Sequence, residues 1–126
     1  MSGCCSVKDQ ILILPCSGGS NVGQISNQAA VELDRGGLGL MKCAVGVAAG
    51  IQGLVEGARQ APHIIVIDGC AVGCAKAGLA AHAKREPDTH VVVTELGVAK
   101  NRDFDLKAED VALTVAATRR AMGLAE

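Results

Sequence analysis

Short, largely apolar runs alternate along the chain with longer segments whose apolar residues recur every three or four positions. The runs at 11–14, 63–68 and 90–96 are rich in β-branched residues, which is typical of buried strands. The run 38–46 is ambiguous and is interpreted as a further short strand that ends near Cys43. The helical spacing predicts helices over 22–35, 49–60, 106–122 and a segment that starts at Cys70 or Ala71 and reaches Lys84.

This alternation of strands and helices, with apolar rather than alternating strands, favours a parallel sheet covered on both faces. The expected fold is a small doubly wound three-layer α/β/α domain. Its sheet is mostly parallel and four-stranded, of the Rossmann or flavodoxin type. We expect a single domain over residues 1–126, with 1–9 as a flexible amino-terminal segment.

The composition narrows the function classes. The net charge of −1 and the lone aromatic residue, Phe104, argue against nucleic-acid binding, which uses basic surfaces and aromatic stacking. No uncharged apolar stretch approaches the roughly 20 residues that span a bilayer, and the amino terminus does not resemble a signal peptide. We therefore expect a soluble cytoplasmic protein whose 6 cysteines are reduced thiols or metal ligands.

Four of these cysteines fall where predicted strands end. Cys16 comes two residues after the first strand, Cys43 ends the second, and Cys70 follows Asp68 at the end of the third. Cys74 would lie one helical turn beyond Cys70, on the same helix face. Because the carboxyl ends of parallel strands share one edge of the sheet, we expect the four thiols to meet there.

The chemistry of such a cluster has three candidate forms. Helix amino termini favour thiolates, and four thiolates suit tetrahedral zinc. A thiol redox or sulfur-transfer enzyme is also open, with Cys16 or Cys70 as the nucleophile and Cys74 or Cys43 resolving. An iron–sulfur protein is the third possibility. The sequence leaves open whether the protein is an enzyme and whether it has a protein partner.

Other candidate groups are weaker. His63 and His90 begin predicted strands at the opposite edge, and His82 lies two turns beyond Cys74, so we expect structural or solvent-facing roles for all three. Cys4 and Cys5 are interpreted as incidental or auxiliary. The spacing from Gly18 to Gly23 fits part of a phosphate-binding loop, but Gln24 and Ile25 replace the required Lys and Ser/Thr.

Three ordered blocks of sequence resemble the DGC-domain family, which is named after an Asp-Gly-Cys motif. The blocks are CSGGSNVGQISNQAAVEL, MKCAVGVAAGIQGLVEGA and IVIDGCAVGCAK. The resemblance implies a zinc-binding protein with four characteristic cysteines, which fall here on Cys16, Cys43, Cys70 and Cys74, while Asp68 and Gly69 complete the motif. The family usually has Pro after the motif's Cys, whereas this chain has Ala71.

Overall fold

The apolar runs of the sequence form the strands of the sheet in the computed structural model, which describes residues 10–124. The segment predicted to be flexible, 1–9, lies outside the described residues, and so do Cys4 and Cys5. In chain order the elements are β1 (Ile11–Pro15), α1 (Asn21–Arg35), β2 (Leu40–Met41), α2 (Ala44–Ala48), α3 (Gln52–Gln60), β3 (His63–Asp68), α4 (Cys74–Ala83), β4 (Thr89–Val92), a 3₁₀ turn (Val93–Leu96) and α5 (Ala108–Ala121).

The four strands form one parallel sheet in the order β2-β1-β3-β4, which confirms the predicted fold class. The chain first winds outward from β1 to β2 and then returns to the other side of β1 for β3. The strand order therefore reverses between β1 and β3. In open α/β sheets ligands bind beside the carboxyl ends of the strands at such a point. Cys16 and Cys70 follow these two strands.

The side chains of the central strands, β1 and β3, are buried alternately in two separate cores, one on each face of the sheet. On one face the strand residues pack with α1 and α5, and on the other they pack with α2, α3 and α4. The predicted three-layer arrangement is therefore confirmed. The strand residues of the first core are Ile11, Ile13, Ile65 and Ile67, and those of the second are Leu12, Leu14, Ile64 and Val66.

The short strand predicted within 38–46 exists, but it ends two residues before Cys43. Only Leu40–Met41 is a strand, and Ala44–Ala48 is the short helix α2, with Cys43 immediately before it. The predicted helix from Ala49 begins later, at Gln52, because Gly50 adopts a φ of +81° and separates α2 from α3. Small and β-branched residues in this stretch suit either structure, and packing decides between them.

Two further boundaries differ from prediction. Helix α4 starts at Cys74 rather than at Cys70 or Ala71, because Gly73 adopts a left-handed φ of +67° and its N–H donates to the Cys70 carbonyl oxygen (3.1 Å). The predicted strand 90–96 is a strand only to Val92 and then becomes the 3₁₀ turn.

Within residues 10–124 no helix has the length and apolar character that crossing a membrane requires.

Asp88 makes a pH-dependent contribution to stability at the entry to β4. Its Oδ2 accepts the N–H of Ile64 (2.8 Å) and the guanidinium of Arg85 (2.9 Å). Burial raises the pKa of Asp88, but the Ile64 hydrogen bond and Arg85 outweigh it, so the pKa lies below its ordinary value. A lowered folded-state pKa gives stability that is present above the unfolded-state value and is lost as pH falls through the folded-state value.

We therefore expect Asp88→Asn to lower the free energy of unfolding by about 0.5–1 kcal/mol at pH 7, a small effect because exposed pairs are screened. The Asp88 side chain is 40% exposed. The difference from the wild type should begin to shrink as pH falls below about 4, the ordinary range of an Asp carboxyl, and should shrink further as pH falls through the lowered pKa of Asp88. Urea unfolding at pH 7 and at lower pH measures this, and a difference that is constant across pH would contradict the assignment.

Candidate functional site

Three of the four predicted cysteines line one cavity at the carboxyl edge of the sheet. Cys16, Cys43 and Cys74 surround a space of about 760 Å³ between the ends of β1 and β2 and the starts of α2 and α4. Their thiols are free rather than joined in disulfides. Cys16 is half-buried, whereas Cys43 and Cys74 are exposed. Three separate β-α junctions thus deliver thiols to the same space.

Cys16 is held by the sheet and by the loop that follows it. Its N–H donates to the Ile67 carbonyl oxygen (2.8 Å), which continues the pairing of β1 with β3. The side-chain amide of Gln24 donates to the carbonyl oxygens of Ser17 (3.2 Å) and Gly18 (3.0 Å). Gln24 stands where a phosphate-binding loop would carry Lys, so here that position stabilises the loop instead.

Cys43 immediately precedes α2 and Cys74 is the first residue of α4, and these two helices pack closely against each other. Helices α2 and α4 approach so closely that a Cβ added at Gly78 would lie 2.8 Å from the Cβ of Ala48. The N–H of Lys42 donates to the Ile13 carbonyl oxygen (2.9 Å), which fixes the chain before Cys43. The two thiols therefore lie at the first turns of two helices that pack against each other.

Asp68 fixes the start of α4 from inside the protein. Its carboxylate is 1% exposed and accepts the N–H of Ala75 at Oδ1 (2.8 Å) and the N–H of Lys76 at Oδ2 (3.3 Å). These are N–H groups of the first helical turn, which lack partners within the helix. Asp68 thus acts as a helix cap from a neighbouring strand and sets the position of Cys74, the first residue of α4.

His90 is bonded to the carboxylate that caps α4, a contact that sequence reasoning missed. The prediction that it stands at the opposite edge was wrong, because its Nε2 lies 2.8 Å from Oδ2 of Asp68. Val92 pairs with Asp68 in the sheet, and His90 lies two residues before Val92 on the same face. His63 does lie at the amino end of β3, where its Nε2 is 2.9 Å from Oγ1 of Thr89.

Cys70 lies apart from the other three thiols. It packs against the core of α1 and α5 and lines a neighbouring cavity of about 550 Å³, whereas Cys16 packs against the core on the opposite face. Because α4 begins only at Cys74, the prediction that Cys74 stacks above Cys70 on one helix face is wrong. Among residues 10–124, no three His, Cys, Asp or Glu side chains are close enough to hold a metal ion.

The glycine of the Asp-Gly-Cys segment is required by close contact with α1. A Cβ at Gly69 would lie 2.7 Å from the amide nitrogen of Gly23 and 2.8 Å from the carbonyl carbon of Val22. Both are backbone atoms and have little freedom to move. The carbonyl oxygen of Gly69 accepts the N–H of Thr94 (3.1 Å), which joins the segment to the turn after β4. Gly69 therefore brings α1, β3 and β4 together at this edge.

Comparisons with known proteins agree with the resemblance seen in the sequence. The family profile of the DGC domain matches residues 12–118. A relative from Pseudomonas aeruginosa, described as anaerobic and virulence modulator AnvM, is 39% identical over 99 residues, which are 79% of this chain and 75% of the relative. No solved structure matches the chain.

Proposed function

The chain belongs to the DGC-domain family, and we propose that it is a metal-binding protein in which Cys16, Cys43 and Cys74 hold zinc. The observation that carries the proposal is the convergence of three free thiols, from three different junctions, on one cavity. A cavity at the carboxyl edge, next to the reversal of strand order, is also where α/β domains place their ligands.

The donor set suits zinc. Thiolates are preferred ligands of this ion, which displaces the proton of each thiol that it binds. The three thiols are not close enough in the described structure to hold an ion, so zinc binding requires the side chains of Cys43 and Cys74 to turn toward Cys16. Cys16 is fixed by its hydrogen bond to β3, while Cys43 and Cys74 are exposed and are not confined by packing. Zinc held by Cys16, Cys43 and Cys74 would supply Lewis-acid chemistry to a ligand in the cavity.

The proposal differs from the four-thiol site predicted from the sequence in one respect. Cys70 lies on the other face of the sheet edge and contacts a lysine, so we leave it out of the ligand set. An iron–sulfur cluster would use the same soft ligands and is an outcome of the experiment below. The relative's description as an anaerobic modulator is compatible with thiolate ligands, because oxygen oxidises them. On this proposal the protein works in a reducing cytoplasm.

The metal content of protein purified without added metal tests the proposal. We expect about one zinc per chain, the stoichiometry of a single thiolate site, and no visible colour. Cys16→Ser, Cys43→Ser and Cys74→Ser should each lose the metal, because each removes one ligand from a set of three. Cys70→Ser is the matched control and should keep it.

Three results would overturn parts of this assignment. Metal-free wild-type protein with freely reactive thiols would overturn metal binding. A brown protein containing iron would overturn zinc in favour of a cluster. Equal loss of zinc in Cys70→Ser would overturn the three-thiol set in favour of four ligands. Circular dichroism of each variant shows that the loss of metal is not a loss of the fold.

A further inference from the structure

Cys43 and Cys74 lie at the starts of two helices that pack side by side. Both line the same cavity, and both are exposed, whereas Cys16 is half-buried. We propose that Cys43 and Cys74 form a reversible disulfide when a low-molecular-weight disulfide oxidises them. The disulfide itself does not rest on zinc binding, whereas its effect on the metal rests on the proposed function.

The directions of α2 and α4 bring the two cysteines together. Each helix begins after a strand has ended at the carboxyl edge of the parallel sheet, β2 before α2 and β3 before α4, so the two helices run alike. Their contact at Ala48 and Gly78 lies about one helical turn beyond Ala44 and Cys74. One turn nearer the start of both helices, Ala44 and Cys74 therefore face each other, and Cys43 directly precedes Ala44.

Hydrogen bonds fix the backbone beside each of the two cysteines. The N–H of Lys42 donates to the Ile13 carbonyl oxygen (2.9 Å), which ties the chain before Cys43 to β1. The Asp68 carboxylate accepts the N–H of Ala75 (2.8 Å), which ties the start of α4 to β3. The fixed backbone keeps the two thiols at a high effective concentration. Their exposed side chains need only rotate for the two sulfurs to meet.

The other two cysteines among residues 10–124 are less suited to this pairing. Cys70 packs against the core on the opposite face of the sheet and lines a different cavity from Cys43 and Cys74. Cys16 lines the same cavity as this pair, but it is half-buried and packs against the core formed with α2, α3 and α4. A disulfide needs the two Cβ atoms within about 4 Å of each other, so side chains that turn freely at facing positions form it most readily.

The reaction consists of two successive thiol–disulfide exchanges. One thiolate of the pair attacks a sulfur of the small disulfide, whose S–S bond breaks as a mixed disulfide forms and one half leaves as a thiolate. The second thiolate attacks the protein sulfur of that mixed disulfide and releases the other half. The two cysteines lose two electrons and two protons, and the small disulfide becomes two thiols that carry them. Excess dithiol reverses the reaction.

The disulfide would control metal binding at the same cavity. Zinc binds the thiolate form of cysteine, and a disulfide sulfur no longer has that charge. Oxidation removes two of the three proposed ligands, so the oxidised chain should release its zinc. Conversely, bound zinc should slow the oxidation, because it occupies the sulfurs that would otherwise attack.

Peptide mapping of the full-length chain tests the pairing without any metal. The chain is stripped with a chelator, exposed to hydroxyethyl disulfide, alkylated and digested with trypsin. Cys43 is then in the peptide 43–59, and both Cys70 and Cys74 are in the peptide 60–76. We expect mass spectrometry to find these two peptides joined, and dithiothreitol to separate them. Cys70→Ser should keep the link, which assigns it to Cys74.

The cysteine variants and the metal content give the remaining outcomes. Cys43→Ser and Cys74→Ser should each lose the link and retain a hydroxyethyl group on the remaining thiol of the pair. A main product that joins Cys43 to Cys16, or Cys70 to Cys74, would overturn the pairing, and so would mixed disulfides alone in the wild type. A reduced chain that forms the link but never holds zinc would overturn the zinc assignment alone. Zinc retained by the oxidised chain would overturn control of the metal.

The contact between α2 and α4 provides a second test that leaves the cysteines unchanged. Gly78→Ala should slow closure of the disulfide at least about fivefold, because its methyl group would lie 2.8 Å from the Cβ of Ala48 and push the helices apart. Adding Ala48→Gly should restore the rate, since the Cα of residue 48 lies 3.6 Å away. Circular dichroism checks that both variants fold. Wild-type rates in Gly78→Ala would overturn the role of the helix contact.

Discussion

Asp68→Ala is expected to lower the free energy of unfolding by about 3 kcal/mol, since each buried donor left unpaired costs about 1–3 kcal/mol. The substitution removes the acceptor of the Ala75 and Lys76 N–H groups and of the His90 ring. The space is buried, so water does not readily replace the carboxylate. Urea unfolding at pH 7 measures the loss, with the midpoint and slope compared with those of the wild type.

Two further variants make this prediction specific to the cap. Asp68→Asn keeps one oxygen that accepts a backbone N–H, so it should cost less than Asp68→Ala. Glu56→Ala removes a carboxylate from an exposed pair with Arg59 (3.7 Å, 47% exposed) and should cost less than about 0.5 kcal/mol. Because Asp68 also sets the start of α4, we expect its alanine variant to bind zinc less tightly than Glu56→Ala. Wild-type stability in Asp68→Ala would contradict the capping role.

The fold was predictable because its signals are local. The runs that form β1 and β3 are buried on both faces, and segments with helical spacing follow the strand runs, so the pattern itself indicates a parallel sheet with two covered faces. The positions of Cys16, Cys43 and Cys74 followed from the same logic, since the carboxyl ends of parallel strands share an edge. The sequence could therefore suggest that these thiols lie near one another, although their role as ligands stays a prediction.

Cys70 shows where this logic stops. Strict alternation along β3 would put residue 70 on the same face as Ile64 and Val66, and Cys16 lies on that face. However, the strand ends at Asp68, and the chain turns at Gly69 as it packs on α1. Cys70 consequently packs on the opposite core. Two residues that are two positions apart share a face of the sheet only if the chain between them is a strand.

His90 and Lys100 were missed for a related reason. The contact of His90 with Asp68 depends on the register of β4 against β3, which pairs Val66 with His90 and Asp68 with Val92. Nothing in the composition of β4 fixes that register. Lys100 reaches Cys70 because Asn21, 78 positions away from Ala99, holds its loop. Such contacts between distant segments are set by tertiary packing and leave little signal in a single sequence.

Gly69→Ala is expected to cost the protein at least about 3 kcal/mol, because a methyl group placed against fixed backbone forces the surrounding elements apart. A Cβ there would lie 2.7 Å from the Gly23 amide nitrogen, so either α1 or the end of β3 has to move. Gly57→Ala is the matched control, because Gly57 lies within α3 and has no atom within 4 Å of an added Cβ. That variant should gain about 0.5–1 kcal/mol from helix propensity.

The two glycine variants are expected to change the free energy of unfolding in opposite directions. This difference distinguishes a need for close packing at Gly69 from a need for backbone flexibility. If Gly69 served only to allow a turn, alanine would be tolerated, since Gly69 is not among the positive-φ residues. If contact with α1 is the cause, no smaller residue on α1 can make room for the methyl group. The opposing residue, Gly23, already has no side chain, and a Cβ added to it would lie 2.7 Å from the amide nitrogen of Gly18. We therefore expect thermal and urea unfolding to show a large loss for Gly69→Ala and a small gain for Gly57→Ala. Near-wild-type stability of Gly69→Ala would show that the Asp-Gly-Cys glycine is not needed for packing.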